Sequence, residues 1–256
     1  MRKYIILFLQ HLSEYSTYRM RLLVTILQGF VTPLFLLIVL SWARPISSVS
    51  VSDLLPYYLL VGLIYPLTRS RIDEFIDESA TSGEVNNFLV KPLSFYKFML
   101  TSDLSWKTLN LITLFPFILA AYLLLTPSGS VPQNLSSFSL SLLVTGISFL
   151  ISFNFSFLIG LFSFWLDEFW AIHNIKHVVV NFLGGVVLPY SFFPLWATSL
   201  LKYSPFPYML TWPVRVLRGQ FSSSEIPISL FWLALIGLAV VFFQKLAIRR
   251  YSHTAG

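Results

Sequence analysis

Residues 226–246 read IPISLFWLALIGLAVVFFQKL, a run whose one charge, Lys245, sits beside its end. About 20 apolar residues carry a helix across about 30 Å of hydrocarbon, so this stretch decides the fold class: an all-α integral membrane protein. The rest of the chain agrees. Of its 256 residues 56% are hydrophobic and 11% charged, against about 25% charged in a soluble domain. Mean hydropathy is +0.75. So few charges cannot clothe a water-facing surface, which excludes a soluble enzyme. The net charge of +6 points to an anionic lipid surface rather than nucleic acid, because the basic residues gather at segment ends. Zero cysteines exclude disulfides, thiolate metal sites and cysteine nucleophiles.

Working outward, five more apolar runs are expected to span: 22–42, 54–68, 104–125, 138–166 and 178–188. The second run continues into a charged but helix-periodic stretch, 69–79. At the start, Ile5, Phe8, Leu9 and Leu12 recur at helical spacing among Arg2, Lys3, Glu14, Arg19 and Arg21. Residues 1–21 therefore read as an amphipathic helix in the membrane interface, or as a frayed tail before the first span. Between the fifth and sixth runs, PYSFFPLWATSLLKYSPFPYMLTWP (189–213) is too apolar for a solvated loop and too rich in proline for one straight helix. Broken backbone at membrane depth must be buried in protein or line a cavity. Residues 189–225 are accordingly read as an external re-entrant region. Of the 17 Lys and Arg, only Arg44, Lys202, Arg215 and Arg218 fall on the side opposite the N-terminus. The positive-inside bias places both termini in the cytoplasm.

A search for catalytic chemistry finds none. There is no GxxxxGK[ST] phosphate loop, GxSxG elbow or HExxH helix, so no catalytic residue is assigned and the chain is not read as an enzyme. His173 and His177 have the i,i+4 spacing of metal ligands, but Asn174 stands where a zinc protease needs its glutamate. No third ligand is evident, so the pair is read as a polar helix end at the cytoplasmic interface, and no metal is assigned. Asp103, Lys107, Asp167 and Glu168 fall at run ends where water can reach them, so an ion relay has nothing to run on. Energy must then come from elsewhere. Residues 69–97 suit its reception: Ile72, Phe75 and Ile76 form an apolar face, and Arg71, Asp73, Glu74, Asp77 and Glu78 decorate the other sides. Gly83 breaks that helix, and Val85, Phe88 and Leu89 open a second amphipathic period before Lys91-Pro92. Such helices either dock in a groove of a soluble partner or rest on headgroups.

Four runs together, SGEVNNFLVKPLSFYKF (82–98), FWLDEFW (164–170), LPYSFFPLWATSLLKYSPFPYMLTWPVRVLRGQ (188–220) and AIRRY (247–251), resemble the ABC type-2 permeases, the membrane subunits of bacterial ATP-binding-cassette exporters. The resemblance covers nearly the whole chain, 1–256, as one transmembrane domain. It implies six spans, an interfacial helix, a coupling helix between spans two and three, and a re-entrant hairpin between spans five and six. It implies a coupling region holding Arg71, Asp73, Glu74, Phe75, Asp77, Glu78, Gly83, Glu84, Asn86, Asn87 and Phe88. Asp167, Glu168 and His173 would form a second cytoplasmic contact. Two permeases, identical or related, would enclose a path lined by spans two and five, with Tyr58, Tyr65, Asn181 and Phe182 as candidates. Separate ATPase subunits would bind ATP and Mg, and no cofactor is expected in this chain. The location implied is the inner membrane. Aromatic content of 17% favours a hydrophobic or amphipathic cargo. The alternatives are a membrane-embedded lipid-modifying enzyme, built on Asp167, Glu168, His173 and His177, and a scaffold subunit that moves nothing.

Overall fold

The computed structural model describes residues 2–17, 51–83, 85, 94–125, 135–166 and 168–254, with a few single positions between 20 and 42. Most of the expected first span, 22–42, lies outside them, as do Glu84, Asn86, Asn87, Phe88 and Asp167. The described residues are helical: α1 (Arg2–Thr17), α2 (Val51–Thr68), α3 (Ile72–Thr81), α4 (Phe95–Thr113), α5 (Phe115–Leu125), α6 (Leu135–Leu161), α7 (Phe169–Leu183), α8 (Leu195–Leu201), α9 (Phe206–Leu210), α10 (Trp212–Leu217) and α11 (Glu225–Thr254). Two helical stretches, Phe138–Phe164 and Glu225–Arg250, are long and apolar enough to cross a membrane unaided. Helices α4 and α5 make a third if taken as one span bent by 43°.

Helix α6 is the central post, packed against α2, α3, α9, α10 and α11. Ser141, Ser148, Ser152 and Ser156 recur on one of its faces, all buried. Small residues there let neighbouring backbones approach closely. They also answer a specific need. The chain leaves helix at residues 69–71, and backbone groups freed inside the protein need partners. Ser70 N–H donates to Ser152 Oγ (3.2 Å), Ser156 Oγ donates to the Ser70 carbonyl (3.0 Å), and Lys107 Nζ donates to the Arg69 carbonyl (2.6 Å). The expected continuous helix through 69–79 is thus two helices, α2 and α3, with a break stitched to α6.

Three other boundaries differ from the sequence reading. The third span begins at Phe95 rather than 104 and bends at Leu114. Pro116 lacks the N–H that would bond the Ile112 carbonyl, so the helix cannot run straight through. The helix expected as the fifth span, α7, begins at Phe169 rather than 178 and stops at Gly184, where Gly185 takes φ 81°, a left-handed conformation that glycine adopts without Cβ strain. The stop leaves carbonyls unpaired. Tyr190, Thr211, Tyr57 and Tyr58 hydroxyls donate to those of Leu183, Gly184, Gly185 and Val187, respectively. The helix expected as the sixth span, α11, runs on to Thr254, past the expected end at 246.

Two apolar clusters flank the middle of α6. One joins α2, α5, α9, α10 and α11 through Tyr57, Tyr58, Tyr122, Tyr208, Trp212 and Ile236. It holds the broken segment: Tyr208, Met209, Trp212 and Val214 are fully buried. Glu225 Oε2 accepts the Trp212 indole N–H (2.9 Å), and Glu225 Oε1 pairs with Arg215 (2.8 Å). The other joins α3, α4, α6 and α11, around a ladder of Phe149, Phe153 and Phe157.

Candidate coupling site

The short helix α3 (IDEFIDESAT) has an inner and an outer side. Ile72, Ile76 and Ser79 face inward, Phe75 and Asp77 are half-buried, and Arg71 and Glu78 are exposed. Asp73 and Glu74 in its first turn suit the positive end of the helix dipole. Gly83, at φ 78°, lies just beyond its last turn. What brings α3 so near α6 is Gly160. A Cβ added there would lie 2.9 Å from the Asp73 Cα and 2.9 Å from Ile76 Cδ1.

Asp73 does not decorate the outer side as the sequence reading has it. It is fully buried and ties α3 to α7 across 103 residues of sequence. Lys176 Nζ donates to Asp73 Oδ1 (2.6 Å) and to Ser156 Oγ (3.3 Å). His173 Nδ1 lies 2.6 Å from Asp73 Oδ2, and its Nε2 lies 2.7 Å from Glu74 Oε1. Glu74 also takes the Arg71 guanidinium. Burial opposes ionisation of Asp73, but donation from His173 and Lys176 outweighs it and holds the carboxyl below its usual range. Asp77 is pushed the other way by burial and by the Asp73 charge. The result is a clasp of opposite charges joining the start of α3 to α7.

The remaining sequence-derived positions fall as follows. Glu168 is exposed at the start of α7. Tyr65 O–H donates to Asn181 Oδ1 (2.9 Å), linking α2 to α7, and Asn181 Nδ2 lies 3.0 Å from His177 Nε2. Tyr58 is 1% exposed and bonded to the Val187 carbonyl, inside the chain's own core. Phe182 is exposed, edge-on to Phe193. His173 and His177 stack with ring centroids 6.4 Å apart. Each has ring-nitrogen partners of its own, and no three His, Asp or Glu side chains among the described residues form a metal cage.

Sequence reasoning placed Asp103 and Lys107 in water. Because α4 starts at Phe95, both are interior, each 6% exposed. They pair at 3.0 Å, and Lys107 lies 4.8 Å from the Phe149 ring centroid. Their i,i+4 spacing was a visible signal of that pair. No comparable signal announced Asp73 with Lys176.

An apolar helical protein with a short charged helix clasped against its spans leaves the family to be decided by comparison. The family model described as ABC-2 family transporter protein matches residues 26–255. The chain belongs to that family. As an ABC-2 family transporter protein it is a membrane-embedded permease component of an ABC transporter. No curated protein and no solved structure matches the chain.

Proposed function

We propose that this ABC-2 permease is half of an exporter pore, joined by a second permease, identical or related, and driven by separate ATPase subunits that bind ATP and Mg. In this reading it spans the inner membrane six times with both termini in the cytoplasm. Residues 1–21 lie in the interface, 69–97 couple to the motor, and 189–225 form the external hairpin. The observation that carries the reading is the two-sided build of α3. Its inner side is clasped to α6 and α7, with half-buried Phe75 resting against the apolar cluster there, while Asp77 and Glu78 leave an outer edge for a soluble partner. Force on that edge passes to α7 through Asp73 and Lys176, and to α2 through the break at 69–71. The clasp gives His173 a place in the same unit, with Glu168 exposed one helix start away; Asp167 and residues 84 and 86–88 complete the contacts.

The path runs where α2 and α7 meet, at the Tyr65–Asn181 bond, with Tyr58 and Phe182 uncovered or covered as the spans switch. ATP binding in the partner favours one of two packings, and it does so only through differential affinity for them. A largely apolar, aromatic interior suits a hydrophobic or amphipathic cargo.

Two experiments test this. Truncating a central aromatic anchor costs about 2 kcal/mol or more at an interface. Phe75→Ala is therefore expected to weaken ATPase association by more than about tenfold, and Glu78→Ala to reduce transport per ATP hydrolysed. Normal coupling in both variants would remove α3 from the docking role. The native chain has no cysteine, so single cysteines report topology without background. One at Ser222 should react with an impermeant maleimide from outside, and one at Ser82 only after permeabilisation. The reverse pattern would invert the orientation. Ser130, also expected outside, lies beyond the described residues.

A further inference from the structure

Helix α7 carries two histidines one turn apart, and their partners assign them different proton counts. Asn181 Oδ1 accepts the Tyr65 hydroxyl proton, which turns Asn181 Nδ2 toward His177 Nε2 at 3.0 Å. An amide nitrogen only donates, so His177 Nε2 accepts and that ring is neutral. His173 is built the other way. Its Nδ1 lies 2.6 Å from Asp73 Oδ2, and its Nε2 lies 2.7 Å from Glu74 Oε1. Carboxylates only accept, and a neutral imidazole has one N–H to give. A neutral ring would therefore aim a lone pair at a carboxylate oxygen. Only the imidazolium, with a proton on each nitrogen, satisfies both contacts. The charges around the ring agree. From α3, Asp73, Glu74 and Asp77 favour a charged ring, and Arg71 opposes it but is bound to Glu74. From α7, Lys176 opposes it but is held by Asp73 Oδ1 at 2.6 Å. Arg69, at the end of α2, rests 5.2 Å from the Tyr65 ring centroid. From α6 comes the neutral Ser156, bonded to Lys176. Two anions in direct contact outweigh cations that have partners of their own.

We infer that the α3–α7 clasp is a proton switch: the seated state requires a doubly protonated His173, and loss of its Nε2 proton releases Glu74 and the first turn of α3. The Nε2 proton is the one that leaves. The Glu74 side chain is 36% exposed and keeps Arg71, so the proton passes to water and the carboxylate stays paired. Asp73 is wholly buried, and stripping a donor from its Oδ2 costs more. The neutral ring therefore retains its Nδ1 proton. Lys176 still holds Asp73, so α3 stays anchored on its inner side while the outer tie opens. That tie is whole at lower pH and is lost as pH rises. The effect on coupling rests on the permease reading, whereas the proton count of His173 does not.

The first arm of the test uses the full chain, carrying isotope-labelled histidine, in a neutral maltoside detergent at about pH 7. Ring-nitrogen NMR is the readout, with His173→Gln and His177→Gln assigning the signals. Two protonated nitrogens are expected for His173, and one bare nitrogen for His177 in the same spectrum. A bare nitrogen on His173 overturns the switch. The second arm measures cargo moved per ATP hydrolysed by the assembled transporter in proteoliposomes, from about pH 7 to about pH 9. Loss of one charge-assisted bond corresponds to about tenfold, so the wild-type ratio should fall by about that much as pH rises. His173→Gln has no ring proton to lose and should give a low, flat profile. His173→Arg, a permanent double donor, should give a high, flat one. A wild-type ratio that does not fall, or a fall that persists in His173→Gln, overturns the switch. Absence of ATP-driven transport in the wild type instead overturns the permease reading, and the ring-nitrogen result still decides the proton count.

Discussion

Asp73→Ala is expected to be the most damaging single substitution in and around α3, costing about 3–5 kcal/mol of stability. The carboxylate is fully buried, and its removal leaves Lys176 without a counter-charge and His173 without one of its two acid partners. Removing one member of a buried pair is far more costly than replacing both with apolar groups. The double variant Asp73→Ala with Lys176→Met should therefore recover most of the loss, which separates the clasp from simple loss of packing. Unfolding of the purified chain followed by tryptophan fluorescence measures both. The sign of the pH dependence follows from the same pairing. The folded carboxyl titrates below its ordinary value, which is about 3.9 for an unfolded aspartate. The stabilisation is complete above that value and is lost as pH falls through the lower folded one. Wild type and Asp73→Ala should differ fully at neutral pH and converge only in acid. A difference that vanished near pH 6 would assign the energy to another group.

Gly160→Val is expected to produce the largest functional loss with the least change in chemistry. The new Cβ would meet the Asp73 Cα at 2.9 Å, and a backbone atom cannot rotate aside as a flexible side chain can. Helix α3 must move off α6, at a cost of about 1–3 kcal/mol for an overpacked contact. The displacement also stretches Asp73 away from Lys176. The measured result should be ATP hydrolysis by the assembled transporter that no longer moves cargo. Gly146 on the same helix is the control, because a Cβ there meets nothing within 4 Å. Gly146→Ala should leave stability and coupling unchanged within about 0.5 kcal/mol. Full coupling in Gly160→Val would mean that the close seat of α3 on α6 carries no signal.

The parts of this architecture legible in the sequence are those set by local pattern. The run 226–246 announces α11, the long run at 138 announces α6, and the prolines and aromatics of 189–213 announce a broken segment, buried from Pro205 onward but exposed at Leu195, Trp196, Leu200 and Tyr203. Gly83 marks the turn after α3, whereas the bend between α4 and α5 is absent from the sequence reading, which takes 104–125 as one span although Pro116 lies inside it. What local pattern cannot supply is partnership between distant positions. Asp73 and Lys176 each look like ordinary charges near a span end. Only the fold brings them to 2.6 Å, with Ser156 as a third participant that reads in the sequence as one serine among many. The break at 69–71 was hidden for the same reason: its backbone partners come from Ser152, Ser156 and Lys107 on two other helices. Asp103 and Lys107 were misplaced by one boundary, since a helix beginning at 95 rather than 104 turns an end into an interior.

The central claim is that this permease contains no motor and works through α3 on one supplied by another chain. Its most direct test is purification of the tagged chain from membranes in mild detergent, followed by ATP hydrolysis and transport in proteoliposomes. The account predicts that a phosphate-loop ATPase co-purifies, that the assembly hydrolyses ATP and moves cargo, and that the chain freed of it does neither. Hydrolysis or ATP-dependent transport by the chain alone, with no phosphate-loop protein present, would contradict it.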